Sequence, residues 1–200
     1  MAAYVFEQLS SKGNAAGIPD NPSMDEARDW YRDQASKVGN TNPKRMLLDK
    51  QNLKNQINIK DIGKMYMFLY DPKTKDDLPY YDVFPLVFPF KKTPDGFIGL
   101  NMHYLPYQLR IKLLDKLMQF ASNSKLNEAT RIKYSWAMID GVSRFNGAIP
   151  CVKHYLDDHI RSAFREVPSY DWATAMLLPV ERFVGATTQQ VWLDSKRKMG

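Results

Sequence analysis

Three sets of residues in this chain have the types and spacing that chemistry asks for. Asp71, Asp76, Asp77 and Asp82 crowd one short link, and a nuclease or hydrolase can use such a group to hold a divalent cation. Asp is also a common turn former, and Pro72 and Pro79 alongside favour the turn reading. Cys151, His154 and His159 are zinc-ligand types. In the helix expected there each residue advances about 100°, so His154 and His159 stand about 140° apart and do not readily grip one ion. His103 would join them only through the tertiary fold. Cys151 with His154 has the composition of a nucleophile and base, yet no third group to orient the pair is evident. A buried thiol among packed histidines is the simpler reading.

The third set is basic: Lys91 and Lys92, then Arg110, Lys112 and Lys116, then Arg131 and Lys133, and finally Lys196, Arg197 and Lys198. Several of these on one face would neutralise phosphates without reading sequence, because phosphate contacts carry affinity and little base information. Scattered solvation of an ordinary surface is the alternative. The tyrosines Tyr80, Tyr81, Tyr104 and Tyr107 are of the kind that anchors interfaces, where large rings bring area at low entropy cost. There is no phosphate-cradling glycine loop, no nucleophile elbow and no dinucleotide fingerprint. The expectation is a non-enzyme with no cofactor, no metal and no small-molecule substrate.

The elements that must position these residues follow from local pattern. Residues 63–106 alternate aromatic and aliphatic runs with Pro, Gly and Asp, as short strands and tight turns require. The link from Phe90 to Phe97 passes through Pro94-Asp95-Gly96, where Pro presets φ at the first corner and Gly accepts a positive φ at the last. A helix opens at Pro106, with Tyr107, Ile111, Leu114, Met118 and Ala121 on its buried stripe, widened by Leu113, Leu117 and Phe120. This spacing leaves Arg110, Lys112 and Lys116 on the opposite side. Asn127 caps a second helix to about Ser143, with Ala129, Ile132, Trp136, Ile139 and Ser143 inward. Pro150 opens a third, to Arg165, whose outer face carries Lys153, Asp157, Arg161 and Arg165 four apart. Residues 172–184 read as a returning edge strand, and 188–199 as a short helix whose terminal cations suit its C-terminus.

Upstream of about Ile59 the pattern changes. Residues 1–22 hold Gly13, Gly17, Pro19 and Pro22 and no sustained period, which predicts an extended arm. Ser23 and Glu26 form a capping box for a helix over 24–38 with a narrow apolar stripe. Such a stripe needs something to dock on. Tyr4, Phe6, Trp30 and Tyr31 are the expected partner-binding anchors. The division is therefore 1–58, an N-terminal arm with one amphipathic helix, and 59–200, an α+β domain.

Two hundred residues suit one core-bearing domain with such an arm. A net charge of +6 would give a cluster of Lys and Arg a potential attractive to phosphates. With a single cysteine no internal disulfide forms, so nothing argues for an oxidising compartment. No apolar run of about 18 residues and no basic-then-apolar leader occurs, so neither a membrane span nor a signal peptide is expected.

The runs Lys64-Met65-Tyr66, 70–76 (Tyr70-Asp71-Pro72 onward), Leu78-Pro79-Tyr80-Tyr81-Asp82, Phe84-Pro85-Leu86 and 96–106 (Gly96-Phe97-Ile98 onward) resemble proteins of T4-like tailed phages described as DNA end protectors or virion structural proteins. A second patch, Pro150-Cys151-Val152-Lys153-His154-Tyr155-Leu156 with Arg161-Ser162-Ala163-Phe164, Trp172, Leu178-Pro179 and Phe183, is similar to the same family. The likeness covers roughly residues 63–198. It implies a protein at the termini of packaged double-stranded DNA, shielding them from host exonuclease and helping to join head to tail. Partners would be other phage structural proteins, and the location the virion, with the host cytoplasm during assembly. An architectural tail, neck or baseplate component without DNA contact is the alternative. The fold expected is α+β: a small, strongly bent antiparallel sheet, open or barrel-like, packed against about three helices and preceded by the arm.

Overall fold

A computed structural model describes residues 62–199, apart from 122, 124 and 145. The arm, its helix over 24–38 and the anchors Tyr4, Phe6, Trp30 and Tyr31 lie outside the described residues.

The sheet grows from the predicted hairpin. Strands β3 (Leu86–Thr93) and β4 (Gly96–Asn101) pair in antiparallel register from Thr93↔Gly96 to Val87↔Asn101, joined through Pro94 and Asp95. Gly96 is needed for a reason other than the turn. It has no positive φ, but a Cβ there would stand 1.9 Å from the Tyr155 carbonyl oxygen of the next strand. The register slips between Pro89 and Lys91. A bulge is where a proline, which cannot donate to the ladder, is tolerated inside a sheet.

Strands β1 (Met65–Met67), β5 (Val152–Leu156) and β6 (Arg165–Val167) complete an antiparallel five-stranded sheet in the order β5-β4-β3-β1-β6. Among the described residues β5 and β6 are its edges, and it is not closed into a barrel. Two short strands, β2 (Tyr81–Asp82) and β7 (Phe183–Val184), make a separate antiparallel pair. With four α-helices in addition among the described residues, the class is α+β.

Helix α1 (Tyr107–Ala121) turns Leu113, Leu114 and Leu117 into the core. Helix α2 (Glu128–Ser143) starts where expected, the Asn127 side chain accepting from the Thr130 amide at 2.9 Å. Helix α4 (Thr188–Met199) also matches its expected span.

Two expectations are corrected. Residues 150–165 are not a helix: a 3-10 turn over Asn146–Cys151 leads into β5, then a second 3-10 turn over Asp157–His159 and the strand β6. The Val-Lys-His-Tyr-Leu run carries β-favouring Val and Tyr, and pairing with β4 decides the conformation. Residues 172–177 are helix α3 (Trp172–Leu177), not an edge strand. All six residues are buried, and a helix apolar on every side shows no 3.6-residue period to read.

Both faces of the sheet are covered. Met65, Met67, Leu86, Phe88 and Leu100 join the helices in the larger core. Tyr66, Phe68, Tyr70, Val87, Phe97, Tyr155 and Phe164 form a second, mostly aromatic cluster. Its rings stack or meet edge-on, Phe68 lying 4.8 Å from Phe164 and 5.3 Å from Tyr155 between centroids. Such pairs add about 0.5–1.5 kcal/mol each beyond the area they bury. Among the described residues, no helix is long and apolar enough to cross a membrane.

Candidate nucleic-acid interface

Most of the predicted cations stand on the surface. Lys91 and Lys92 are exposed at the end of β3, Lys112 and Lys116 one turn apart on α1, Lys133 on α2, and Lys196, Arg197 and Lys198 at the end of α4. Trp136 of α2 donates its indole N–H to the Phe90 carbonyl at 2.8 Å. That bond sets α2 beside the start of the Lys91-Lys92 pair, with Lys133 one turn earlier on the helix. Helix α2 also packs on α1. The cations of β3, α1 and α2 therefore ride on contiguous elements, while those of α4 form a separate group. Arg131 is half-buried and lines a small recess of about 110 Å³ with Lys64 and Glu166.

Arg110 is the exception and leaves the surface set. It is fully buried. Its Nε donates to the Leu105 carbonyl at 2.7 Å, Nη1 to Met176 at 3.0 Å and Nη2 to His103 at 3.1 Å. Nη2 also pairs with Glu181 at 2.5 Å. The reason was present in the spacing: Leu113, Leu114 and Leu117 lie three, four and seven positions on, which puts Arg110 on the buried stripe.

The acidic and thiol sets disperse. Among the described residues, no group of three or more His, Cys, Asp or Glu side chains is placed to hold a metal ion. Asp76 and Asp77 are exposed on a 3-10 turn. Asp71 accepts from Lys75 at 3.0 Å, and that ammonium holds its carboxyl below the usual range. His154 meets Thr93 at 3.0 Å and Asp95 at 3.3 Å, and His159 meets the Asp71 carbonyl at 2.7 Å. Cys151 is buried, and desolvation pushes its thiol up to about 12. A thiol so far from ionising is inert at neutral pH. Ellman's reagent is therefore expected to leave Cys151 unmodified in the native protein and to label it once denaturant exposes it, as read by absorbance.

Asp82 is drawn into the interior instead. One carboxylate oxygen accepts from the Phe84 amide at 3.0 Å, the other from Asn101 at 3.1 Å, and it meets His103 Nδ1 at 2.8 Å. Asn101 also donates to the Tyr155 hydroxyl at 2.9 Å. Asp82 and Tyr155 of this network also reach an open recess on the aromatic side of the sheet. There a groove of about 330 Å³ runs between the 70–82 link, β5 and Tyr104.

Three of the four tyrosines read as interface anchors meet in this groove: Tyr80, Tyr81 and Tyr104. Tyr107 does not, packing instead on Trp192 with ring centroids 4.9 Å apart. The groove also holds a residue that the helical reading of 150–165 hid. On β5, Lys153 and Tyr155 share a face, and Lys153 Nζ lies 4.1 Å from the Tyr104 ring centre. Burial holds the Lys153 amine below the usual lysine value, and the Lys198 charge pushes the same way. The alternation of Val152, His154 and Leu156 with Lys153 and Tyr155 was the signal that could have found it.

Of the predicted cations, Lys198 at the end of α4 is close enough to the groove for its charge to act on Lys153. The family model described as phage T4 terminal DNA protecting protein matches residues 26–195, and the chain belongs to that family. No curated protein and no solved structure shows a significant match to it.

Proposed function

We propose that this protein binds the ends of double-stranded DNA in a tailed-phage particle and shields them from exonuclease, as a structural component that catalyses no reaction. The observation that carries the reading is family membership over residues 26–195. The exposed cations of β3, α1, α2 and α4 support it, since they can neutralise backbone phosphates without selecting sequence. Lys91, Lys92, Lys112, Lys116, Lys133, Lys196, Arg197 and Lys198 make those contacts, with Arg131 at their margin. The division into an arm over 1–58 and a domain over 59–200 belongs to the same proposal. The arm holds other phage structural proteins through Tyr4, Phe6, Trp30 and Tyr31, and in this way the protein helps to join head to tail. It resides in the virion, and in the host cytoplasm while the particle assembles.

Binding to linear duplex across a salt series tests this. If six to ten phosphates are neutralised, affinity falls by roughly 10³ to 10⁵ between about 50 and 200 mM salt. Replacing Lys112 and Lys116 together by glutamine weakens binding to all sequences alike and flattens the slope by about one unit per lysine. Absence of binding at low salt would remove the DNA reading and leave an architectural neck or tail role.

A further inference from the structure

The tyrosine groove has features that duplex binding alone leaves unused. Lys153 is half-buried, and among the described residues no carboxylate is found paired with it; its ammonium rests on the Tyr104 ring. A cation withdrawn from water without an anionic partner is costly to maintain. An anion entering the groove would offset that cost. Lys73 is exposed on the groove's lining, and Lys198 is close enough for its charge to act on Lys153. The mouth is also aromatic: Tyr80 and Tyr81 are half-buried on the strand side. The Tyr80 ring is held in place by Tyr104 at 6.1 Å and Phe183 at 6.4 Å between centroids.

The volume, about 330 Å³, lies at the small end of the roughly 300–1,000 Å³ typical of ligand pockets. That volume suits one nucleotide and is too small for a base pair. Bases stack on aromatic side chains whatever their identity, because every base has a π-face. A duplex interior cannot reach such a groove without breaking a pair, which costs a few kcal/mol and costs least where the base is already unpaired.

We propose that the groove takes the unpaired terminal nucleotide of a DNA end, its phosphate against Lys153 and its base against Tyr80 and Tyr81. This rests on the DNA-end reading and sharpens it. The surface cations hold the duplex by its backbone, and the groove tells an end from the middle of the molecule. An end so held has its last nucleotide out of reach of an exonuclease.

The experiment compares three duplexes of equal length on the full chain: both ends closed by hairpin loops, both ends blunt, and both ends carrying a one-nucleotide phosphorylated overhang. The overhang duplex is expected to bind roughly tenfold tighter than the closed one, the scale of one base stack. In Lys153→Met the advantage shrinks below about twofold, while Lys153→Arg keeps most of it. A photoreactive iodouracil placed at the overhang should cross-link the wild-type protein within 78–82 or at Tyr104, a readout that needs no variant to fold. Equal binding of all three duplexes, or a cross-link elsewhere, overturns the groove and leaves duplex binding standing. Failure of every duplex to bind overturns both readings.

Discussion

Arg110→Ala is expected to lower the melting temperature by on the order of 10 °C, the largest single effect on the surface or in the core that these residues predict. The guanidinium satisfies the Leu105, Met176 and His103 carbonyls and pairs with Glu181, whose side chain is only 4% exposed. The Tyr107 and Trp192 rings flank it at 4.7 and 5.4 Å from their centres. Truncation strands a buried carboxylate and removes a donor from three buried carbonyls, of which that of His103 keeps the Trp192 indole N–H. Losing one member of such a pair costs about 3–5 kcal/mol, and 1 kcal/mol moves the midpoint by about 2–4 °C in a chain of this size. Lysine cannot replace the planar fork, so Arg110→Lys should recover only part. Arg110→Met combined with Glu181→Leu removes both charges at near-constant volume and should recover more than either change alone. Thermal and urea unfolding of these variants, with m-values compared, would read this directly. A drop of only a few degrees for Arg110→Ala would show that the Arg110 cluster is not what ties α1 to α3.

Asp82→Ala is the second large effect, an expected loss of about 3–5 kcal/mol. The carboxylate serves the Phe84 amide, the Asn101 amide group and His103 Nδ1. Each is a buried donor that would lose its acceptor, and an orphaned buried group costs about 1–3 kcal/mol. Asn101 bridges onward to Tyr155, so the loss should spread to the aromatic cluster and to the groove above it. Asp82→Asn keeps one carbonyl oxygen and the volume, and should fall between wild type and alanine. Equilibrium urea unfolding gives the ordering. Near-UV circular dichroism, sensitive to the packing of Tyr104 and Tyr155, should change in Asp82→Ala even at temperatures where the protein stays folded. An unchanged near-UV spectrum together with wild-type stability would mean that the network is dispensable.

What could be read along the chain was what neighbours along the chain decide. The Pro94-Asp95 turn, the Asn127 cap and the apolar stripes of α1, α2 and α4 depend on residues within a few positions of one another. The surface positions of Lys91, Lys92, Lys112, Lys116, Lys133 and the Lys196–Lys198 run followed from those periods, as did the packing of α1. The same stripe on α1 contained Arg110, whose charge concealed a buried position that its spacing disclosed.

What the tertiary structure decided depends on partners far away in sequence. Whether Val152 to Leu156 forms a helix or a strand rests on the open edge of β4, more than fifty residues earlier, where Gly96 lets the backbone approach. Helix α3 has no polar side to betray its period, because it is enclosed on every side. The groove exists only once Tyr80, Tyr104 and Lys153 converge from three separate segments. Hydrogen-bonded turns and caps close over a few residues and are written locally. Desolvation and sheet pairing act between segments that only folding brings together, and the burial of Arg110, the strand β5 and the tyrosine groove are products of that second kind of contact.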